Sequence, residues 1–222
     1  MDLTDLQPFT AERTWTVEDI PVLTARISLP EPVWSESRPL RRLQRYYRSQ
    51  CRAYLRYCEN WLLPQAEAEY RAALAVSTPL PCLQTELNYT VTYREGQLLS
   101  LYTQSREPTP TGLLLTRRGD TWDLSAGYPL PLQTFFPPRS NWKKQLLAQA
   151  AEEIRRRETA GTARWHANWQ HCLRRHFNPL NYYLTPEGLT FFYPMHSIAP
   201  TSGGIPAFTV PFDQLHLPPE GA

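Results

Sequence analysis

Leu83, Thr85, Leu87, Tyr89, Val91 and Tyr93 alternate with Gln84, Glu86, Asn88, Thr90 and Thr92. A period of two gives a strand one buried and one solvated face. Arg94-Glu95-Gly96 turns the chain, and residues 98–105 return as a hairpin partner. Residues 112–117 and 121–124 repeat the pattern on either side of Arg118-Gly119-Asp120, which reads as another turn, and Ala126-Gly127 leads through several prolines to Phe135-Phe136. The middle of the chain is thus predicted to be an antiparallel meander, with the 83–93 strand central and Tyr89 and Val91 buried.

On both sides of the meander the period lengthens. Val22 to Leu29 reads as a strand closed by Pro30 and Pro32, and Ser37-Arg38-Pro39 then starts a helix whose face carries Leu40, Leu43, Tyr47, Tyr54, Cys58 and Trp61. Pro64 should kink or end that helix, with a second piece over residues 65–75. Another helix is predicted for residues 140–158, with Leu146, Leu147, Ala150, Ala151 and Ile154 on one side, Arg155, Arg156 and Arg157 at its negative end and Gly161 beyond it. Trp165, Trp169 and Leu173 fall at helical steps within residues 162–176. Residues 182–185 and 189–193 flank Pro186-Glu187-Gly188 as a hairpin, and residues 207–210 form a last strand. The expectation is an α+β fold, an antiparallel sheet to which both halves of the chain contribute, with long helices packed on one face. Residues 1–20 read as an N-terminal arm, 21–215 as a single domain and 216–222 as a tail.

Composition narrows the class. Hydrophobic residues make up 41% and charged residues 20%, which excludes a disordered chain, and 22 prolines against 9 glycines argue against a pure helical bundle. No run approaches the ~20 apolar residues of a membrane span. Met1-Asp2-Leu3-Thr4-Asp5 puts acids where a signal peptide carries cations, so the chain reads as cytoplasmic, or as extracellular if an anchor has been trimmed from it. Cys51, Cys58, Cys82 and Cys172 form neither a CxxC pair nor a dense disulfide pattern and are expected as free thiols. The net charge is +2, but 21 of the 23 basic residues are arginine, so local recognition by guanidinium is open while non-specific nucleic-acid binding is not implied.

The sharpest local pattern is the run Arg41, Arg45, Arg48, Arg52 and Arg56, at steps of four and three on one helix face. Its plain reading is a solvated face. If it works, Arg45, Arg48 and Arg52 are the candidate ligand-binding residues, for an acidic protein or an anionic polymer. His166, His171 and His176 lie near Cys172, but steps of five set consecutive rings about 140° apart on a helix, so no metal site is expected. Ser202-Gly203-Gly204 lacks the surroundings of a nucleophile elbow and reads as a positive-φ turn, and Asp120 and Asp123 read as turn caps. No cofactor motif occurs, and the chain is expected not to be an enzyme.

Tyr183-Leu184-Thr185-Pro186-Glu187-Gly188-Leu189-Thr190-Phe191-Phe192-Tyr193-Pro194, with Ile198-Ala199-Pro200, Gly203-Gly204 and Phe208-Thr209-Val210-Pro211-Phe212, resembles a bacterial domain family. The family forms the extracellular lysozyme-sensing part of the anti-sigma-V factor RsiV and also occurs beside the deacetylase domain of PdaC-type peptidoglycan enzymes. Leu98-Leu99-Ser100-Leu101 and the segment from Trp122-Asp123-Leu124 to Phe135-Phe136 are similar to it in the same order. Thr109-Pro110-Thr111-Gly112 and Met195-His196 depart from the family's loops. The resemblance spans roughly residues 20–215 and implies long helices on one side of an antiparallel sheet and a binding or sensing role, for a protein or a cell-wall-related ligand. The alternatives are an accessory or cryptic peptidoglycan hydrolase, and a cytoplasmic interaction protein using the arginine face.

Overall fold

The computed structural model describes residues 6–33, 37–79, 82–110 and 112–216. Strands β1 (Leu6–Val17) and β2 (Ile20–Pro32) precede helices α1 (Arg38–Tyr57) and α2 (Leu63–Ala75). Strands β3 (Leu83–Glu95), β4 (Leu98–Thr109), β5 (Gly112–Asp123) and β6 (Tyr128–Pro129) follow, then helices α3 (Trp142–Thr159) and α4 (Trp169–Arg175), and strands β7 (Tyr182–Thr185), β8 (Gly188–Phe192) and β9 (Ala207–Pro211). The class is α+β. It is built on two sheets, one ordered β1-β2-β3-β4-β5-β6 and one ordered β7-β8-β9, so the two halves of the chain do not share a single sheet as expected. All five residues of β8 are buried, which marks it as the centre of its own layer. Two compact units divide the chain, Met1–Tyr89 with Thr103–Leu114 and Thr90–Tyr102 with Leu115–Ala222, and β3, β4 and β5 run through both.

In the first unit, residues 6–17, within the segment expected as an arm without periodicity, form a twelve-residue strand paired antiparallel with β2. Its burial follows no clean alternation, which hid it from a period-two reading. Leu23 to Ile27 of β2 pair in parallel with Leu83 to Leu87 of β3, so this sheet is mixed rather than wholly antiparallel. A parallel pair needs a long crossover, and α1 and α2 supply it. Ser37 accepts the Leu40 amide at 3.3 Å and Pro39 sits in the first turn, where its missing N–H costs nothing.

Leu40, Leu43, Tyr47, Cys51, Tyr54 and Cys58 form the buried stripe of α1, as the period required, but Trp61 is 70% exposed. A π turn over Cys58–Leu62 explains this, the Leu63 amide bonding back five residues to the Cys58 carbonyl. The wider turn inserts one residue, so the stripe resumes at Leu62, Ala66 and Tyr70. It also precedes Pro64, whose ring would otherwise press on the preceding turn. The inward face of β3 fades along its length: Thr85 and Leu87 are buried, Tyr89 is half-buried and Val91 is exposed, contrary to expectation. Tyr54 closes the buried end, its hydroxyl 2.6 Å from Thr85 Oγ1.

In the second unit, Arg118-Gly119-Asp120 is not a turn but the interior of β5. Gly119 is there because a Cβ would stand 1.8 Å from the Tyr182 carbonyl oxygen, an approach only glycine allows. Leu146, Ala150 and Ile154 of α3 pack with Leu184, Leu189, Phe191, Phe208 and Val210 of the three-stranded sheet. Trp169 and Leu173 of α4 join the same core. The helix expected over residues 162–176 forms only at Trp169–Arg175, with an irregular segment before it in which Trp165 stacks on Phe208 at 6.2 Å. Gly161, at φ +66°, ends α3 as expected.

Candidate functional site

The arginine face lies in the first unit. Arg41, Arg45, Arg48, Arg52 and Arg56 are all exposed on α1. Arg48 is engaged: its Nε and Nη2 donate to Glu31 Oε1 at 3.0 and 2.6 Å, and its guanidinium lies 5.5 Å from the Phe9 ring centre. Burial alone would raise the Glu31 carboxyl, but the Gln44 amide and the Arg48 guanidinium outweigh it and hold the group below its ordinary value. Arg45 and Arg52 make no ion pair among the described residues. The predicted triad therefore divides into one arginine tied to its own fold and two facing solvent.

A buried acid, Glu107, lies behind the other face of α1. It accepts from Tyr57 Oη and Ser105 Oγ, each at 2.8 Å. Burial, with the nearby Glu107 charge, pushes the Tyr57 phenol and the Cys58 thiol each up to about 12. Both stay protonated at neutral pH, so neither supplies a nucleophile.

Elsewhere the candidate chemistry disperses. His166 and His196 meet edge to face at 5.2 Å, and among the described residues no three metal-ligating side chains converge. All four cysteines are free thiols. Asp123 caps the turn after β5, accepting from the Ser125 and Ala126 amides at 2.8 and 3.2 Å, while Asp120 is buried in the strand against Arg118. Gly204 takes φ +67° in the loop after Ser202, the backbone role expected of it.

The site that the sequence reading missed lies between α3 and α4 in the second unit. A groove of about 770 Å³ is lined by Trp142, Leu147, Ala151, Trp169 and Leu173 and flanked by Lys143, Lys144, Arg155 and Arg174. Lys143 and Lys144 are the only lysines in the chain. They occupy the first turn of an eighteen-residue helix whose N-cap, Asn141, makes no side-chain capping bond and whose first turn carries no acid. Cations there oppose the helix dipole, and unanswered amides add to the positive potential. Ser140, also on the groove wall, has a buried hydroxyl with no partner. At the other end the Arg155 guanidinium lies 5.8 Å from the Trp169 ring centre, while Phe136 and Phe177 hold Trp142 at 6.0 and 6.2 Å. Among the described residues no carboxylate lines the groove. The adjacent lysines were legible as a breach of the helix-terminus charge rule. The groove was not, because residues far apart in sequence build it.

Residues 133–213 match a family model described as a protein of unknown function, DUF3298. The match contains every groove residue and excludes α1. No curated protein matches the chain. Two solved structures share the fold. One, a member of the DUF3298 family from Bacteroides fragilis, is 15% identical with a TM-score of 0.70, covering 96% of this chain and 94% of that one. The other, a DUF3298 family protein from Pseudomonas aeruginosa, is 16% identical with a TM-score of 0.58 over the same shares. Among the described residues no helix is long and apolar enough to cross a membrane.

Proposed function

We propose that the chain is a non-catalytic binding or sensing module that takes an anionic ligand, of protein or cell-wall origin, in the α3–α4 groove. The observation that carries this reading is the placement of the chain's only two lysines in a first helical turn without a side-chain cap, at the mouth of a groove that no carboxylate among the described residues lines. That placement costs helix stability, and a bound anion would answer the lysines, the amides without a side-chain cap and the dipole together. Cations and indoles are groups that hold and orient. Among the described residues the lining provides no imidazole or carboxylate to move a proton. The RsiV-like resemblance carried by Tyr183 to Pro194 agrees with a binding role.

The test is a titration of intrinsic tryptophan fluorescence with soluble polyanions of each class, polyglutamate, polygalacturonate and polyphosphate, against the chain and a Lys143→Gln/Lys144→Gln variant. A saturable change that the variant loses supports the reading, and no change with any polyanion sinks it. The arginine face is the second reading, favoured by Arg45 and Arg52, which face solvent and make no ion pair among the described residues. Binding lost on changing Arg45, Arg48 and Arg52 to Gln, but kept in the lysine variant, would move the site to α1.

A further inference from the structure

We infer that the groove's ligand is an acidic peptide segment of a protein partner, with carboxylates at two separated points and an aliphatic side chain between them. The inference rests on the groove being the binding site and deepens that reading. Lys144 and Arg155 are eleven residues apart on α3, which sets their attachment points about 16 Å apart along the helix axis. One small anion cannot meet both, so the ligand carries at least two anionic groups. The floor between them is apolar, with Leu147 and Ala151 exposing aliphatic surface over the buried Leu173.

That middle discriminates among anionic chains. An acidic polysaccharide presents hydroxyls where the floor presents Leu147 and Ala151, and burying them unpaired is unfavourable. The groove's indoles are poor substitutes as sugar platforms: Trp142 is already stacked against Phe136, and Trp169 is buried beneath Arg155. A lipid headgroup concentrates its charge at one end. An extended peptide rises about 3.3 Å per residue, so two acids five residues apart match the separation of the cations while a leucine or valine between them fills the floor. Guanidinium at one end suits bidentate pairing with carboxylate, and the ammonium pair at the other adds point charges beside free helix amides.

The experiment uses fluorescence anisotropy with the labelled peptide EEGLLGEE. Its controls are EEEELLGG, which gathers the acids at one end, and EEGSSGEE, which lacks the apolar middle. Polygalacturonate and vesicles of anionic phospholipid compete. The expected result is saturable binding of the first peptide, weakened about tenfold or more by Lys143→Gln/Lys144→Gln and separately by Arg155→Gln/Arg174→Gln, and weakened by salt. Each control should bind at least about tenfold more weakly, since each loses one of the two features the groove matches. Equal binding of all three peptides, or displacement by polygalacturonate or vesicles with no peptide preference, overturns the peptide assignment while leaving an anion-binding groove. Failure of every anionic probe overturns both. Unchanged circular dichroism and melting of the four-residue variant set confirms that lost binding is not lost folding.

Discussion

Gly119 and Glu153 show how single residues are held by opposite kinds of constraint. At Gly119 the constraint is space, since the Tyr182 carbonyl occupies the position a side chain would need. Gly119→Ala must push β5 and β7 apart or break their packing, and it is expected to cost about 2–4 kcal/mol, read as a lowered denaturant midpoint. At Glu153 the constraint is charge. The Arg156 guanidinium, joined by Arg157, overcomes the opposing push of burial and holds its carboxyl down to about 2. A carboxyl depressed from its ordinary 4.5 stabilises the fold above pH 4.5 and loses that contribution as pH falls through about 2. Because Arg156 is solvated, solvent screens the pair and its contribution is small. Melting measured between pH 5 and 2 should therefore fall more steeply in the native chain than in Glu153→Gln, both sharing every other acid.

Among the elements, legibility tracks whether a segment meets one environment or two. The start of α1 was readable because Ser37 and Pro39 act locally, and its stripe because one layer covers it. β3 and β5 depart from a simple period where their surroundings change: burial along β3 ends after Leu87, leaving Val91 exposed, and Gly119 imitates a turn while marking a close backbone approach. Trp61 was misplaced because a periodic reading assumes constant pitch. The π turn makes that assumption testable. Deleting Asn60 together with Pro64→Ala should convert Cys58–Leu62 into ordinary α-helix and keep Leu62, Ala66 and Tyr70 in phase with α1. Deleting Ser49 instead would rotate half of α1 by about 100° and bury its arginines. Helical circular dichroism with a cooperative melt is expected for the first variant and not for the second.

For the whole molecule, the course of the chain through its two compact units governs how it can be divided. Residues 90–102 and 115–123 belong with the part that carries α3, α4 and the second sheet, yet they are separated from each other by strand residues of the first unit. The family match begins later, at residue 133. A protein trimmed to 133–213 would keep the groove's lining and lose its foundations: Ser100, whose hydroxyl accepts the Leu184 amide at 2.8 Å, and Arg117, which bonds Tyr183 Oη at 3.1 Å and lies 4.1 Å from the Tyr102 ring centre. The boundary drawn by similarity is thus not a boundary for folding. Residues 133–213 expressed alone should give helical far-ultraviolet circular dichroism without the near-ultraviolet bands of fixed tryptophans, and any partner that needs the groove would have to be sought with the uncut chain.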